Sequence, residues 1–344
     1  MSHHVTIKNT EHQFDVPDGE TVLQGASAAG LILPYSCRDG ACGSCKGKLV
    51  EGTVDYGQYA AKVLTDEEKA SGFALFCQAK PLSDIVIEVR EVRRAGDIQV
   101  KKLPARVASL AKVSDDVVVL NLKLPASERF QFFAGQYVDI LLKDGTRRSF
   151  SMGNAPHEDE FVQLHIRQVP GGSFTGYVFE KMKEREILRM EGPLGSFYLR
   201  EESEKPIIFV ASGTGFAPIR SIIEAAFRKG INRPMTLYWG GRRPKDLYMD
   251  DLAKKWGSEH PGFIYVPVIS DALPEDAWTG RTGFVHRAAM ADHPDMSGAQ
   301  VYACGVPIMV DSARADFTGK CKLPDEEFYA DSFTTAADVA AGKS

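Results

Sequence analysis

Four cysteines carry the most specific chemical signal in the sequence. Cys37, Cys42 and Cys45 lie in the run Cys37-Arg38-Asp39-Gly40-Ala41-Cys42-Gly43-Ser44-Cys45, and Cys77 follows downstream. A Cys-x4-Cys-x2-Cys spacing with a distant fourth Cys is the ligand pattern of a [2Fe–2S] cluster. Four thiolates must converge on two irons, and three of them come from one tight loop. Gly40, Ala41, Gly43 and Ser44 are small, so the backbone can fold round the cluster and aim N–H groups at sulfur, which tunes the potential. Zinc would favour paired Cys-x2-Cys halves, and the second half is missing. Buried structural cysteines have no reason to keep this spacing.

Two stretches could hold a flat ligand that carries phosphate. In Arg148-Ser149-Phe150-Ser151, a strand Arg can pair with a phosphate and the ring two places on shares its face. The following Ser can hydrogen-bond a ring nitrogen. An ordinary strand fits the same letters. In Gly171-Gly172-Ser173-Phe174-Thr175, glycines and hydroxyl residues at a helix start leave N–H groups for an anion. A plain capped helix fits as well.

A third group of signals suits a nucleotide. Ile207 to Ala211 is a short apolar run between Pro206 and Ser212 and reads as a buried parallel strand. Gly213-Thr214-Gly215 follows, then a helix from about Ala217 to Lys229, with Pro218 in its first turn and Gly230 as its stop. Strand, Gly-x-Gly turn and helix make a pyrophosphate seat, although Pro218 stands where a full fingerprint has its third Gly. The alternation repeats at Leu237-Tyr238-Trp239 before Gly240-Gly241-Arg242, at Phe263 to Val268, and at Val301-Tyr302-Ala303-Cys304 before Gly305. Such units predict an open parallel sheet with ligand at the C-terminal strand ends. Trp239 to Met249 should flank the adenosine end. There Arg242, Arg243 and Lys245 could hold a 2′-phosphate and Asp246 could oppose one; a solvated basic turn is the alternative. Cys304, at the end of its strand, reads as a small buried hydrophobe. Cys321 receives no role.

The elements around these residues predict their placement. Val5-Thr6-Ile7 and Phe14-Asp15-Val16 read as a hairpin. Thr21 with Gln24, and Thr65 with Glu68, are capping boxes that open short helices, Leu64 serving as staple for the second. Ile85 to Val89 closes a first domain over residues 1–93, a small sheet crossed by a helix with the cluster near one edge. Residues 91–97 are polar and contain Gly, as a linker would. From 98 to 201, strands over Val107 to Val113, Val117 to Leu124, Tyr137 to Leu142 and Phe161 to Val169 predict an antiparallel barrel or sandwich. Residues 202–333 form the parallel-sheet domain, and 334–344 an Ala-, Thr- and Gly-rich tail expected to be disordered.

The chain has 344 residues and a formal charge of −5. That length predicts two or three domains, and that charge argues against nucleic acid as the partner. No run has the apolar length of a membrane span, and Met1-Ser2-His3-His4-Val5 lacks the basic and apolar regions of a secretory leader. Six cysteines, four of them in the cluster pattern, suit a reducing cytoplasm.

The segment around the four cysteines resembles the ferredoxins of plants and bacteria, which implies a β-grasp domain. Arg148, Ser151, Gly172 and Thr175 resemble the flavin domain of the ferredoxin-reductase family, which binds FAD with Arg-x-Tyr-Ser and Gly-x-x-Ser/Thr. Phe150 stands where the family has Tyr, keeping the stacking ring and losing the hydroxyl. Gly213, Gly215 and Pro218, then Cys304, Gly305 and Pro307, and the closing Phe328-Tyr329-Ala330-Asp331-Ser332-Phe333 resemble its NAD(P)H domain. The resemblance implies FAD contacts from Arg148, Ser149, Phe150, Ser151, Gly172, Ser173 and Thr175. It implies NAD(P)H contacts from Gly213, Thr214, Gly215, Pro218, Gly240, Arg242, Cys304 and Gly305. Phe328, Asp331 and Phe333 would lie near the flavin and nicotinamide, Ser151 at the reactive flavin nitrogen, and Cys304 beside the nicotinamide.

The domain order is similar to that of the reductase components of bacterial Rieske dioxygenases and multicomponent monooxygenases, and the stretch Trp239-Gly240-Gly241-Arg242 with the closing Phe328-to-Phe333 motif resembles the CDP-6-deoxy-glucoseen reductases. This implies a multidomain α+β and α/β enzyme. Hydride carries two electrons and a cluster takes one at a time, so FAD must stand between NADH and the cluster. NADPH is the alternative donor. The implied partner is an electron-accepting protein, an oxygenase component or a PMP-type deoxysugar dehydratase. A free-flavin reductase and a redox sensor are the competing readings.

Overall fold

The structure is a computed structural model that describes residues 1–94, 96 and 98–334. Residues 335–344, most of the expected tail, lie outside the described residues, as do Ala95 and Asp97 of the expected linker. The chain divides into two compact units, residues 1–98 with 331–344, and residues 99–330.

The first unit is a five-stranded mixed sheet. Its order runs Gln13–Pro17, Ser2–Ile7, Ile85–Glu88, Lys46–Glu51 and Phe73–Leu75. Ser2–Ile7 pairs antiparallel with its hairpin partner and parallel with Ile85–Glu88, the β-grasp arrangement. Alternation decides which side faces the core: Val5, Ile7, Phe14, Val16, Ile85 and Ile87 are buried beneath the Val22–Ala28 helix. Each such side chain contributes about 1.5–3 kcal/mol when fully buried. Both predicted capping boxes form, Thr21 with Gln24 and Thr65 with Glu68. Each cap contributes about 0.5–2 kcal/mol.

The second unit holds two sheets. The first is antiparallel, in the order Arg147–Ser151, Tyr137–Leu141, Ile187–Leu194, Lys101–Lys112, Val117–Lys123 and Val162–Arg167. The four predicted strands are present. The central Ile187–Leu194 strand was not foreseen, because Arg189, Glu191, Gly192 and Pro193 interrupt its apolar pattern. The expected antiparallel barrel is present as a six-stranded sheet that curls until its edges meet. Its edge strands meet through one isolated bridge, Met152 to Leu164, and no ladder closes it among the described residues.

The other sheet is parallel over Arg281–Thr282, Phe263–Ile269, Met235–Gly241, Ile207–Ser212 and Gln300–Gly305, in that order. Phe328–Ser332 follows at the edge, and the division between units falls inside it, after Ala330. The helix after the glycine turn spans Phe216–Arg228, one residue earlier at each end than the pattern gave. Among the described residues no helix is long and apolar enough to cross a membrane.

Candidate functional site

The cluster loop follows from its backbone. Gly40 has φ +72°, and a Cβ there would lie 2.7 Å from the Gln58 carbonyl oxygen. Only glycine takes this conformation cheaply and admits the neighbouring segment. The loop turns its N–H groups on the sulfurs: Asp39 and Ala41 on Cys37, Ser44 on Cys42, and Gly40 on Cys77. The Gln78 amide reaches Cys77 Sγ at 3.9 Å and the Arg38 carbonyl at 2.8 Å.

The thiols form two hydrogen-bonded pairs, Cys37 with Cys42 and Cys45 with Cys77. Within each pair the shared hydrogen bond pushes one thiol's pKa up and its partner's down. The Cys37 hydrogen bond lowers Cys42 to about 6, and the Cys45 hydrogen bond lowers Cys77. Among the described residues no three ligand groups gather as one metal ion would need. Two thiol pairs under a canopy of N–H donors fit a two-iron cluster, which takes four thiolates.

The flavin-type residues lie on the Arg147–Ser151 strand. Arg148 and Phe150 are half-buried on one face. Phe150 packs on Phe174, in the first turn of the Ser173–Glu180 helix, with ring centroids 5.6 Å apart. That contact sets an aromatic face beside the N–H groups of the helix start, and Arg148 lies on the same strand face as Phe150. A cation, free amides and a ring suit a dinucleotide such as FAD. Ser173 is exposed beside them and Gly172 is the N-cap. Ser151 is buried where the two edge strands meet.

Two of these residues hold the scaffold with their side chains. The Ser149 hydroxyl donates to the fully buried Asp139 carboxylate at 2.7 Å. Arg147 also engages Asp139, together with Glu191. Thr175 Oγ1 accepts from the Val169 N–H at 3.1 Å and pins the loop before the helix.

At the nicotinamide-type turns two strand ends interlock. A Cβ on Gly215 would collide with the Cys304 carbonyl, and one on Gly305 with the Ser212 hydroxyl. Ser212 Oγ accepts from the Val306 N–H at 3.1 Å. Gly213 presents its open side to the Arg167 guanidinium, 2.5 Å from where a Cβ would stand, and Arg167 is ion-paired with Asp116. Its carbonyl accepts from Trp239 Nε1 at 3.0 Å. Thr214 and Cys304 are buried beside this turn, and Pro218 is buried in the first turn of the following helix.

Other predicted contacts are placed differently. The missing side chain of Gly240 admits Val285, so this glycine is a packing device. Phe328 is fully buried against Phe317 with Arg314 over its ring, which makes it a core residue rather than a cofactor contact. Asp331 belongs to the first unit, where it accepts a 2.5 Å hydrogen bond from Ser36, the neighbour of Cys37; Phe333 also lies in that unit. Arg243 is clamped by Asp276 at 2.8 Å, and Lys245 by Asp115 at 2.6 Å. Asp246 accepts from the backbone N–H groups of Arg242 and Arg243, which caps the turn. Arg242 is exposed, and of the three cations it alone has no carboxylate partner among the described residues.

Sequence reasoning missed His165, Arg167 and Tyr248. The signal was present in Val162–Arg167, where alternation puts His165 and Arg167 on one face of a strand that leads to Gly171 and Gly172. His165 is 5% exposed. Burial first, and the Arg220 cation second, push its pKa down to about 3.

Comparison with known proteins finds a family model for each of these three regions. Residues 5–82 match the 2Fe-2S iron-sulfur cluster binding domain, 104–198 the oxidoreductase FAD-binding domain, and 209–315 the oxidoreductase NAD-binding domain. The chain is 39% identical to the CDP-6-deoxy-L-threo-D-glycero-4-hexulose-3-dehydrase reductase of Yersinia pseudotuberculosis, over 97% of this chain and 99% of that one. It is 37% identical to reductase component 2 of the terephthalate 1,2-dioxygenase of Comamonas sp., over 97% and 98%. Among solved structures, the Amycolatopsis cytochrome P450 reductase GcoB superposes with a TM-score of 0.80 at 33% identity, covering 97% of this chain and 99% of that one. The chain therefore belongs to the ferredoxin-reductase family of iron–sulfur flavoproteins, which pass electrons from reduced nicotinamide through FAD and a [2Fe–2S] cluster to an acceptor protein.

Proposed function

We propose that this reductase serves a separate redox protein of one of two classes, a PMP-type deoxysugar dehydratase or an oxygenase component, and that it works in the cytoplasm. The observation that carries the reading is the presence of three cofactor sites in one chain, each with its own donor chemistry. Relatives named for each acceptor class match nearly end to end, at 39% and 37% identity. None of the six cysteines forms a disulfide, which suits a reducing compartment. The working domains would be residues 1–93, 98–201 and 202–333.

Bound FAD supplies the conversion from a two-electron donor to one-electron transfer. The chain supplies position and electrostatics. Arg148 and the Ser173–Glu180 helix start neutralise the diphosphate, Phe150 covers the flavin ring, and Ser151 faces its reactive nitrogen. Gly213, Thr214 and Gly215 seat the nicotinamide nucleotide against Cys304 and Gly305. Cys37, Cys42, Cys45 and Cys77 hold the irons. NADH is the preferred donor, because Arg243 and Lys245 are already held by carboxylates.

The test is NADH-driven reduction of each purified acceptor class, with cytochrome c as surrogate, after gel filtration. FAD that stays on the protein and electrons that reach the acceptor support the reading. Flavin lost on the column, with activity restored only by excess free flavin, favours the free-flavin reductase.

A further inference from the structure

The flavin and nicotinamide halves of the second unit are joined through a half-buried polar chain, with His165 buried at its heart and a fixed direction. His165 Nδ1 lies 2.8 Å from the Tyr248 hydroxyl, and His165 Nε2 lies 3.0 Å from Gln163 Oε1. Arg220, from the helix after the glycine turn, donates to the same Gln163 oxygen. Arginine has no acceptor, so the atom facing it must be the amide oxygen. The Gln163 amide nitrogen then donates to Asn121 Oδ1 at 3.0 Å, and Asn121 Nδ2 donates to Ser109 at 3.0 Å.

This settles the tautomer. Nε2 of His165 carries the proton toward Gln163, Nδ1 accepts, and Tyr248 donates. With its pKa lowered to about 3 by burial, the imidazole stays neutral and the arrangement does not reverse near neutral pH.

His165 and Tyr248 each pack against a segment that neighbours a proposed cofactor contact. On the flavin side, a Cβ on Gly153 would stand 2.6 Å from His165 Nε2, and Gly153 lies two residues beyond Ser151. On the nicotinamide side, Tyr248 meets Trp239 edge-on at 5.3 Å and 90°. Trp239 stacks on Phe216 at 3.8 Å, and its indole N–H holds the Gly213 carbonyl at 3.0 Å. The path from Gly153 to Gly213 thus runs through packed groups.

We propose that His165 and Tyr248 are positioning residues that set the distance and angle between nicotinamide and flavin for hydride transfer. The proposal rests on the reading that NADH reduces FAD in this unit. Hydride transfer is steep in geometry, and a misplacement of about 1 Å can cost roughly a hundredfold in rate. Neither residue touches a cofactor position, so binding and transfer should separate.

The experiment is anaerobic rapid mixing of holoprotein with NADH, following flavin bleaching. Wild type is compared with Tyr248→Phe, His165→Leu, His165→Asn and the Tyr248→Phe/His165→Leu double variant. In Tyr248→Phe the limiting rate is expected to fall roughly ten- to hundredfold, with FAD content, melting temperature and NADH Kd within about twofold. His165→Asn keeps an acceptor near the Nδ1 position and should recover most of the loss seen in His165→Leu. The double variant should be no slower than the slower single variant, because the two residues act as one unit. An unchanged limiting rate in Tyr248→Phe overturns the proposal. So does a loss that tracks FAD release, equal loss in both His165 variants, or additive losses in the double variant. If NADH fails to bleach the flavin of the wild type, the hydride reading itself falls and the proposal falls with it.

Discussion

The cluster loop and the nicotinamide turns both depend on glycine, for different physical reasons. Gly40 is needed for its φ of +72° within a contiguous stretch that carries three of the four thiols. Gly215 has ordinary helical dihedrals and is needed because the Cys304 carbonyl, 89 positions along the chain, occupies the space of a side chain. The first site is written into one loop. The second exists only once two parallel strand ends have been brought side by side. Damage to the loop should therefore stay local, whereas damage to the turns should disturb the packing of a whole sheet.

The largest separation is expected from Cys42→Ser. It removes a thiolate from one iron, so the Fe–S absorption disappears and cytochrome c reduction falls by roughly a hundredfold or more. Flavin bleaching by NADH should persist, because the flavin and nicotinamide sites lie in the other unit. Loss of both activities together would show that the two regions are not separable. Gly215→Ala is the converse experiment. The new Cβ meets backbone rather than a flexible side chain, so about 1–3 kcal/mol of stability is lost and the KM for NADH rises, while the Fe–S spectrum is retained. Melting curves and steady-state kinetics on one preparation check both.

A third test concerns pH. His165 has a folded pKa of about 3 against an ordinary value of 6.5. Between those values the unfolded chain binds more protons than the folded one, so stability rises with pH and is lost as pH falls through 6.5. The group should cost about 1 kcal/mol between about pH 7.5 and about pH 5.5. Flavin release on heating should therefore shift more over this range in wild type than in His165→Asn. Equal shifts would show that the imidazole is not held neutral. The smallest effect is expected from Phe150→Tyr, which restores the family hydroxyl to the stacking ring. It should change FAD dissociation by less than roughly tenfold and leave the cluster spectrum untouched; a spectrophotometric FAD titration would measure it.

The same contrast explains what could be read from the sequence. The four cysteines, both capping boxes and the Gly213-to-Pro218 turn were legible because each is set by neighbours a few residues apart. The Arg148 and Phe150 face was legible through period-two alternation, since a strand sorts its side chains without outside help. Ile187–Leu194 was not, because a central strand interrupted by Gly192 and Pro193 is recognisable only from the strands on either side of it. Phe328 was misread for a related reason: its ring meets Phe317 in the core, and the motif letters give no orientation. His165 and Tyr248 stand 83 residues apart, and no local pattern couples them. Their bond follows from how two sheets pack.

The central claim is that electrons run from NADH through flavin to the cluster. Anaerobic titration of the purified holoprotein with NADH, followed by visible absorption, tests it most directly. The account predicts bleaching of the flavin band and then of the Fe–S bands, with cytochrome c reduced on addition. Bleaching of the flavin alone, with Fe–S bands unchanged at excess NADH and no cytochrome c reduced, would contradict it.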